Sequence, residues 1–426
     1  MLLLQNARIF GTDEGDEIND ILIGDDGKYA KIAPKIAHES AWQAIDVKGR
    51  LVAPTFVNTH MHFDKAYTAL SGRESSVETL EDSIRIMHDL KRNYTVQGVK
   101  ERALRAIREC VAFGTTKLRT NVDIDNMAGL VGLEGVLAAR DECRDICDLQ
   151  VVAFPQEGIF RNPGTEKLMW EAMEMGADVV GGMPAAEWLD EHARAHVDMV
   201  FEMAEKYDAP IDMHIDQSKD MFDRSLEYTA FKTLERGWGA RVTGGHCTSI
   251  AYQNQSHARK VMELIRESGM NICTNTQVLA IMGIDAEPRT RGVTRIREMV
   301  EMGINVATAQ DTICDGFHLY GTGDPLDYGL VGAYTAQYNT PRTARIIFDM
   351  LTFNSARIFA PSEGYGLAVG NDADLNVIDA ENVQEALRTR ASRPYIVRKG
   401  KVVAYFERKS GLLQQPGERR EENLRV

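Results

Sequence analysis

The sequence is poor in positive charge. Its 49 lysines and arginines stand against 63 aspartates and glutamates, a net charge of −14. A nucleic-acid binder would normally show a basic stripe, and an anionic membrane surface attracts clusters of Lys and Arg, so both partner classes are disfavoured. No apolar run approaches the roughly 20 residues of a membrane span. The opening MLLLQNARIF has no basic flank and no cleavage-like small-residue site, and reads as a first strand. Cysteines are few and scattered: Cys110, Cys143, Cys147, Cys247, Cys273 and Cys314. That pattern suits reduced thiols and a cytoplasmic setting. Cys143 and Cys147 lie one helical turn apart, but no second pair completes a metal site.

A βα rhythm runs through the middle of the chain. Strand-like runs recur as APTFVNTH, TTKLRTNVD, LQVVAFPQ, ADVVGGM, PIDMHID, ARVTGGH, MNICTN and INVATAQD. Amphipathic segments such as VKERALRAIRECVAFG alternate with them, and Gly114, Gly176 and Gly303 stand where helix C-caps are expected. Eight such units predict an α/β fold, a (β/α)8 TIM-like barrel over residues 55–364. A doubly wound open sheet is the rival, yet no G-x-G-x-x-G follows the early strands. Both ends read as short strands and hairpins. They predict a small β-sandwich domain built from residues 1–54 and 365–410, with a charged tail over 411–426.

In such barrels chemistry sits at the C-terminal ends of the strands. There the sequence places His60-Met61-His62, then Gln156, His214-Ile215-Asp216-Gln217, His246 and Asp311. A strand puts residues two apart on one face, so His60 and His62 aim together. A lone histidine at a strand end is most often structural. Four of the chain's ten histidines converging at three strand ends, with Asp311 at a fourth, point instead to a divalent metal. Imidazole with carboxylate suits Zn²⁺ or Fe²⁺, whereas Ca²⁺ and Mg²⁺ prefer all-oxygen shells.

These segments resemble the amidohydrolase superfamily nearly end to end, and its cytosine deaminase branch in particular: FVNTHMHFDKAY, VVAFPQEGIF, GADVVGGMP, IDMHID, GARVTGGHCTS, GVTRIREMVEMGINVATAQD and GNDADLNVID. The resemblance implies that His60, His62, His214 and Asp311 bind one metal ion. It implies that His246 faces the attacking oxygen or the developing oxyanion, and that Gln156 bonds the edge of a planar heterocycle. Superfamily members with two metals bridge them through a lysine on the fourth strand; ADVVGGMP has none, so one ion per subunit is expected. The implied reaction is hydrolytic cleavage of a C–N bond, by deamination or dealkylamination, on a small nitrogen heterocycle. Homo-oligomers are compatible with the family.

Three positions depart from the branch. Gln217 stands where it has a glutamate that shuttles a proton, and an amide carries none. Thr312 replaces the second of two aspartates after the last strand and is a candidate substrate contact. Lys65, in HMHFDK, is similar to the N-isopropylammelide amidohydrolases rather than to cytosine deaminases. Lys65 is a candidate acid or a polariser of a substrate carbonyl, unless Asp64 holds it in a salt bridge. Asp216 is the remaining candidate shuttle. Two other readings stay open: hydrolysis of a cyclic or exocyclic amide, and a catalytically silent barrel that only binds, although silent relatives usually lose metal ligands.

Overall fold

The computed structural model describes residues 1–11, 18–71, 80–281, 293–360, 364–410, 414–415 and 418–419. Five strands come first: β1 (Leu2–Ile9), β2 (Ile18–Ile23), β3 (Tyr29–Ala33), β4 (Gln43–Asp46) and β5 (Leu51–Pro54). Eight more follow, alternating with helices: β6 (Phe56–Met61), β7 (Thr115–Asp123), β8 (Asp148–Phe154), β9 (Val179–Gly182), β10 (Ile211–Ile215), β11 (Val242–His246), β12 (Asn271–Thr274) and β13 (Val306–Thr308). These eight pair in sequence order, every pair parallel. A parallel bridge between Met61 and Asp311 brings the two ends together, so the expected barrel is present.

The barrel strands are buried almost throughout, polar residues included, because both faces are covered, one by the barrel interior and the other by helices. The helix Val96–Ala112 shows how the outer layer is specified. Thr95 caps it by accepting from the Gly98 amide, and Val99, Ala103, Leu104, Ala106, Ile107, Cys110 and Val111 form its buried face. It ends at Gly114, whose φ of +90° suits glycine, and a Cβ there would lie 2.6 Å from Asn376 Oδ1. Cys143 and Cys147 are buried thiols at the end of the helix Val131–Cys143, with no metal cluster around them among the described residues.

The second sheet joins β1–β5 to β14 (Leu375–Ile378), β15 (Arg393–Arg398) and β16 (Lys401–Phe406). Its pairings are mostly antiparallel, but β1 runs parallel to both β4 and β5. All eight strands are hydrogen-bonded into one continuous sheet. Leu2, Leu4, Ile21, Ile23, Val52, Leu375, Val377 and Val397 share its core. Arg398 fixes this sheet to the barrel by reaching Asp148 at 2.6 Å, while Lys117 on β7 reaches the same carboxylate at 2.9 Å. Of the expected tail, the described part is a pairing of Gln414–Gln415 with Glu418–Arg419; the remainder lies outside the described residues. No helix among the described residues is long and apolar enough to cross a membrane.

Candidate metal centre and substrate cavity

β6 is buried at every residue, and its alternation turns His60 and His62 to the same side. β10 brings His214 between them. His214 Nε2 lies 3.1 Å from both His60 Nε2 and His62 Nε2. Asp311, three residues past β13, adds Oδ1 at 3.5 Å from His60 Nε2 and 3.4 Å from His62 Nε2. All four donor atoms lie within 4.8 Å of one another. Metal–nitrogen bonds of about 2.0–2.1 Å arranged tetrahedrally set donors roughly 3.3–3.4 Å apart, so the spacing fits one ion of zinc-like size.

The electrostatics agree with that fit. Burial, followed by the neighbouring histidines and Lys65, holds the imidazoles of His62 and His214 well below their usual pKa, and burial, His246 and Arg119 do the same for His60. All three are therefore neutral ligands with free lone pairs. Burial and the nearby Asp315 push the Asp311 carboxyl up to about 8, against a smaller opposing pull from Lys65. Three neutral rings and a destabilised carboxylate crowded together are what a cation would relieve.

The surroundings hold the ligands in place. Phe154 stacks on His214, with centroids 4.0 Å apart. Beneath His60, Asp212 Oδ1 lies 4.0 Å from Nδ1, and Arg119 clamps the same carboxylate at 2.8 Å. His246, at the end of β11, lies 4.9 Å from His60 and 4.7 Å from His214 between ring centroids. Burial alone lowers its pKa to about 3, so it too is neutral. His246, Asp311 and Asp216 all have left-handed backbones, with φ of 66°, 72° and 47°. Such conformations are costly for residues with a Cβ and concentrate at functional sites.

Above the metal ligands a small cavity is lined by His62, Lys65, Gln156, Gln217, Asp311 and Thr312, with Ile84, Met183, Val278 and Phe317 as its apolar walls. The expected site residues meet, with three differences: His246 packs beside the ligand rings without lining the cavity, and Lys65 and Asp216 are placed otherwise than expected. Lys65 is held by Asp123 at 2.8 Å, not by Asp64, whose side chain instead accepts from the Asp123 amide. Asp216 does not line the cavity. Its carboxylate accepts from the amides of Ser225 and Leu226 at 3.1 and 3.0 Å, at the start of the helix Ser225–Arg236.

The buried charges around Lys65 were not anticipated. Lys91, on the helix Leu80–Lys91, pairs with Asp123, with Asp125 at 2.9 Å and with Glu157 at 3.4 Å. Burial opposes its charge, but these acids outweigh that effect and raise its pKa well above normal. The acids end or follow β7 and β8, and that position is the signal that could have flagged them.

Comparison with known proteins agrees with this geometry. Residues 43–404 match the model of the amidohydrolase family. The chain is 31% identical over 411 residues to N-isopropylammelide isopropyl amidohydrolase of Pseudomonas sp. strain ADP, spanning 95% of this chain and 98% of that protein. It is 27% identical to pterin deaminase of Rhizobium rhizogenes, over 90% and 87% of the two chains. Among solved structures, 5-methylcytosine deaminase of Klebsiella pneumoniae, liganded with 5-fluorocytosine, superposes with a TM-score of 0.91 at 34% identity, over 98% of this chain and 100% of that one. With the family model matched over most of its length and a relative 31% identical across nearly the whole of both proteins, the chain belongs to the amidohydrolase family.

Proposed function

We propose that this protein is a metal-dependent hydrolase that removes an amine or alkylamine from a small nitrogen heterocycle. The observation that carries this reading is the four-donor cluster of His60, His62, His214 and Asp311, opening onto a cavity lined with amide and ammonium groups. The relatives named above, two deaminases and an amidohydrolase, support the same class of reaction. One Zn²⁺ or Fe²⁺ per subunit is the expected ion, because β9 (VVGG) offers no lysine or acid to bridge a second.

A divalent cation in this donor set would supply hydroxide near neutral pH, by lowering the pKa of water from 15.7 toward roughly 7. Asp311 takes the proton of the attacking water. Its carboxylate sits among the ligands and beside the cavity, so it can return that proton to the leaving nitrogen. His246, its ring beside those of His60 and His214, is the candidate donor to the developing oxyanion, a kind of contribution worth about 3–4 kcal/mol per donor. Lys65, Gln156 and Thr312 orient the ring. Gln217 contributes hydrogen bonds but no proton. Ile84, Met183, Val278 and Phe317 exclude water from the ring faces. Asp216 is not assigned the proton transfer, because it does not line the cavity and its carboxylate accepts from two backbone amides of the following helix. Five of the six free cysteines are buried, which suits a reducing, cytoplasmic setting.

The test is turnover by metal-reconstituted protein of cytosine, 5-methylcytosine, isocytosine, ammelide and N-isopropylammelide, followed by release of ammonia or alkylamine. Metal-dependent amine release from any of these rings is the expected result. Ring opening of a cyclic amide without amine release would replace deamination by amide hydrolysis.

A further inference from the structure

Lys65 and Gln156 stand side by side at the cavity, and their chemistry fixes which atoms they can show a ligand. An ammonium has three donors and no acceptor. The Gln156 side-chain atom 3.2 Å from Lys65 Nζ must therefore be the carboxamide oxygen, since an NH₂ group there would set donor against donor. Lys65 cannot swing away to release it. Asp123 holds Nζ at 2.8 Å, the side chain is 1% exposed, and the rings of Phe154 and Phe317 flank it at 5.8 and 5.4 Å. Asp123 is itself held from behind by Lys91. The free end of the Gln156 amide is then its NH₂, and two bonds to Asp123 and Gln156 leave Lys65 one further N–H.

We propose that Lys65 locks the Gln156 carboxamide so that this edge of the cavity offers hydrogen-bond donors, and that the protein selects rings whose bound edge is a carbonyl oxygen beside an unprotonated ring nitrogen. This inference rests on reading the cavity as a heterocycle site. A ring that turns an exocyclic amino group to the same edge meets N–H with N–H, and each buried donor left unpaired weakens binding. Gln156 alone would not discriminate in this way, because an unrestrained amide can flip and accept.

The experiment compares pyrimidin-2-one with 2-aminopyrimidine, the same ring with oxygen exchanged for NH₂. Binding to the metal-loaded protein is measured by calorimetry, so turnover is not required. Pyrimidin-2-one should bind about tenfold or more tightly. Gln156→Glu keeps the shape but places an acceptor at the free end, and should reverse the order. Lys65→Met frees the amide to rotate and should shrink the preference to about threefold or less. Equal binding of the two rings by the unaltered protein, binding of neither, or an unchanged order in Gln156→Glu would overturn the proposal. An intact preference without amine release from the ring panel would support the donor edge while overturning the deamination reading.

Discussion

The backbone amide of Asp311 donates to the carbonyl oxygen of His60 at 3.0 Å, so the barrel is joined at two of the four residues of the proposed metal site. Loss of the ion would leave the Asp311 carboxylate among neutral imidazoles at that seam. Chelation should therefore abolish turnover and also lower the melting temperature, with both restored by Zn²⁺ or Fe²⁺. At free metal a hundredfold above its dissociation constant the stabilisation is about 2.7 kcal/mol. His62→Ala should lose bound metal by elemental analysis and show no thermal gain when metal is added; a full gain in that variant would refute the assigned ligand set.

A second prediction concerns the pair beneath the metal site. Arg119 donates to Asp212 at 2.8 Å, to Gln150, and to the Ile358 carbonyl, and both charges are fully buried. Removing one member strands the other. Arg119→Met should destabilise the protein by about 3–5 kcal/mol in urea unfolding, and Arg119→Met/Asp212→Leu should recover much of that loss. A near-neutral single variant would show that the pair is replaceable.

Gln217 lines the cavity where a carboxyl could carry a proton. Gln217→Glu should raise kcat on cytosine by about 100-fold, the scale of one general acid–base group. An unchanged or reduced rate with the metal retained would mean that Asp311 alone already meets the need for proton transfer.

Stability should depend on pH through the contact between sheet and barrel. Burial works against charge on Asp148, but Arg398 and Lys117 outweigh it and hold its pKa down at about 2. A carboxyl whose pKa is lowered by folding stabilises the native state above its unfolded value of about 3.8 and loses that contribution as pH falls toward 2. Asp148→Asn should thus be less stable than the parent protein at pH 7 and equal to it near pH 2. Melting temperatures measured at intervals between these limits decide it; a gap that stays constant down to pH 2 would rule the linkage out.

The clustering of His60, His62, His214 and Asp311 was legible because strand alternation and strand ends are local properties. His60 and His62 share a face by spacing alone, and His214 and Asp311 each fall at the end of a strand-like segment, PIDMHID and INVATAQD. The partner of Lys65 was not legible. Asp64 is its neighbour in sequence, but Asp123 is brought beside it by the pairing of β6 with β7, a tertiary relationship that spacing does not encode. Asp216 lies apart from the cavity for a local reason. Its left-handed backbone turns the carboxylate toward the next helix, and nothing in IDMHIDQ signals that turn. The mostly antiparallel sheet was foreseen from alternation at both ends of the chain, whereas its continuity through β1 depends on which strands find each other.

The placement of β5 between β1 and β14 has a consequence for how the polypeptide matures. During synthesis Leu51–Pro54 emerges more than 300 residues before Leu375–Ile378, its partner on one side. Until that partner arrives, the strand leading directly into His60 presents an unpaired apolar edge, the kind of surface on which nascent chains associate. Completion of the sheet therefore awaits a late-made segment, and a chain halted before residue 375 would carry all four residues of the proposed metal site yet keep that edge open to association.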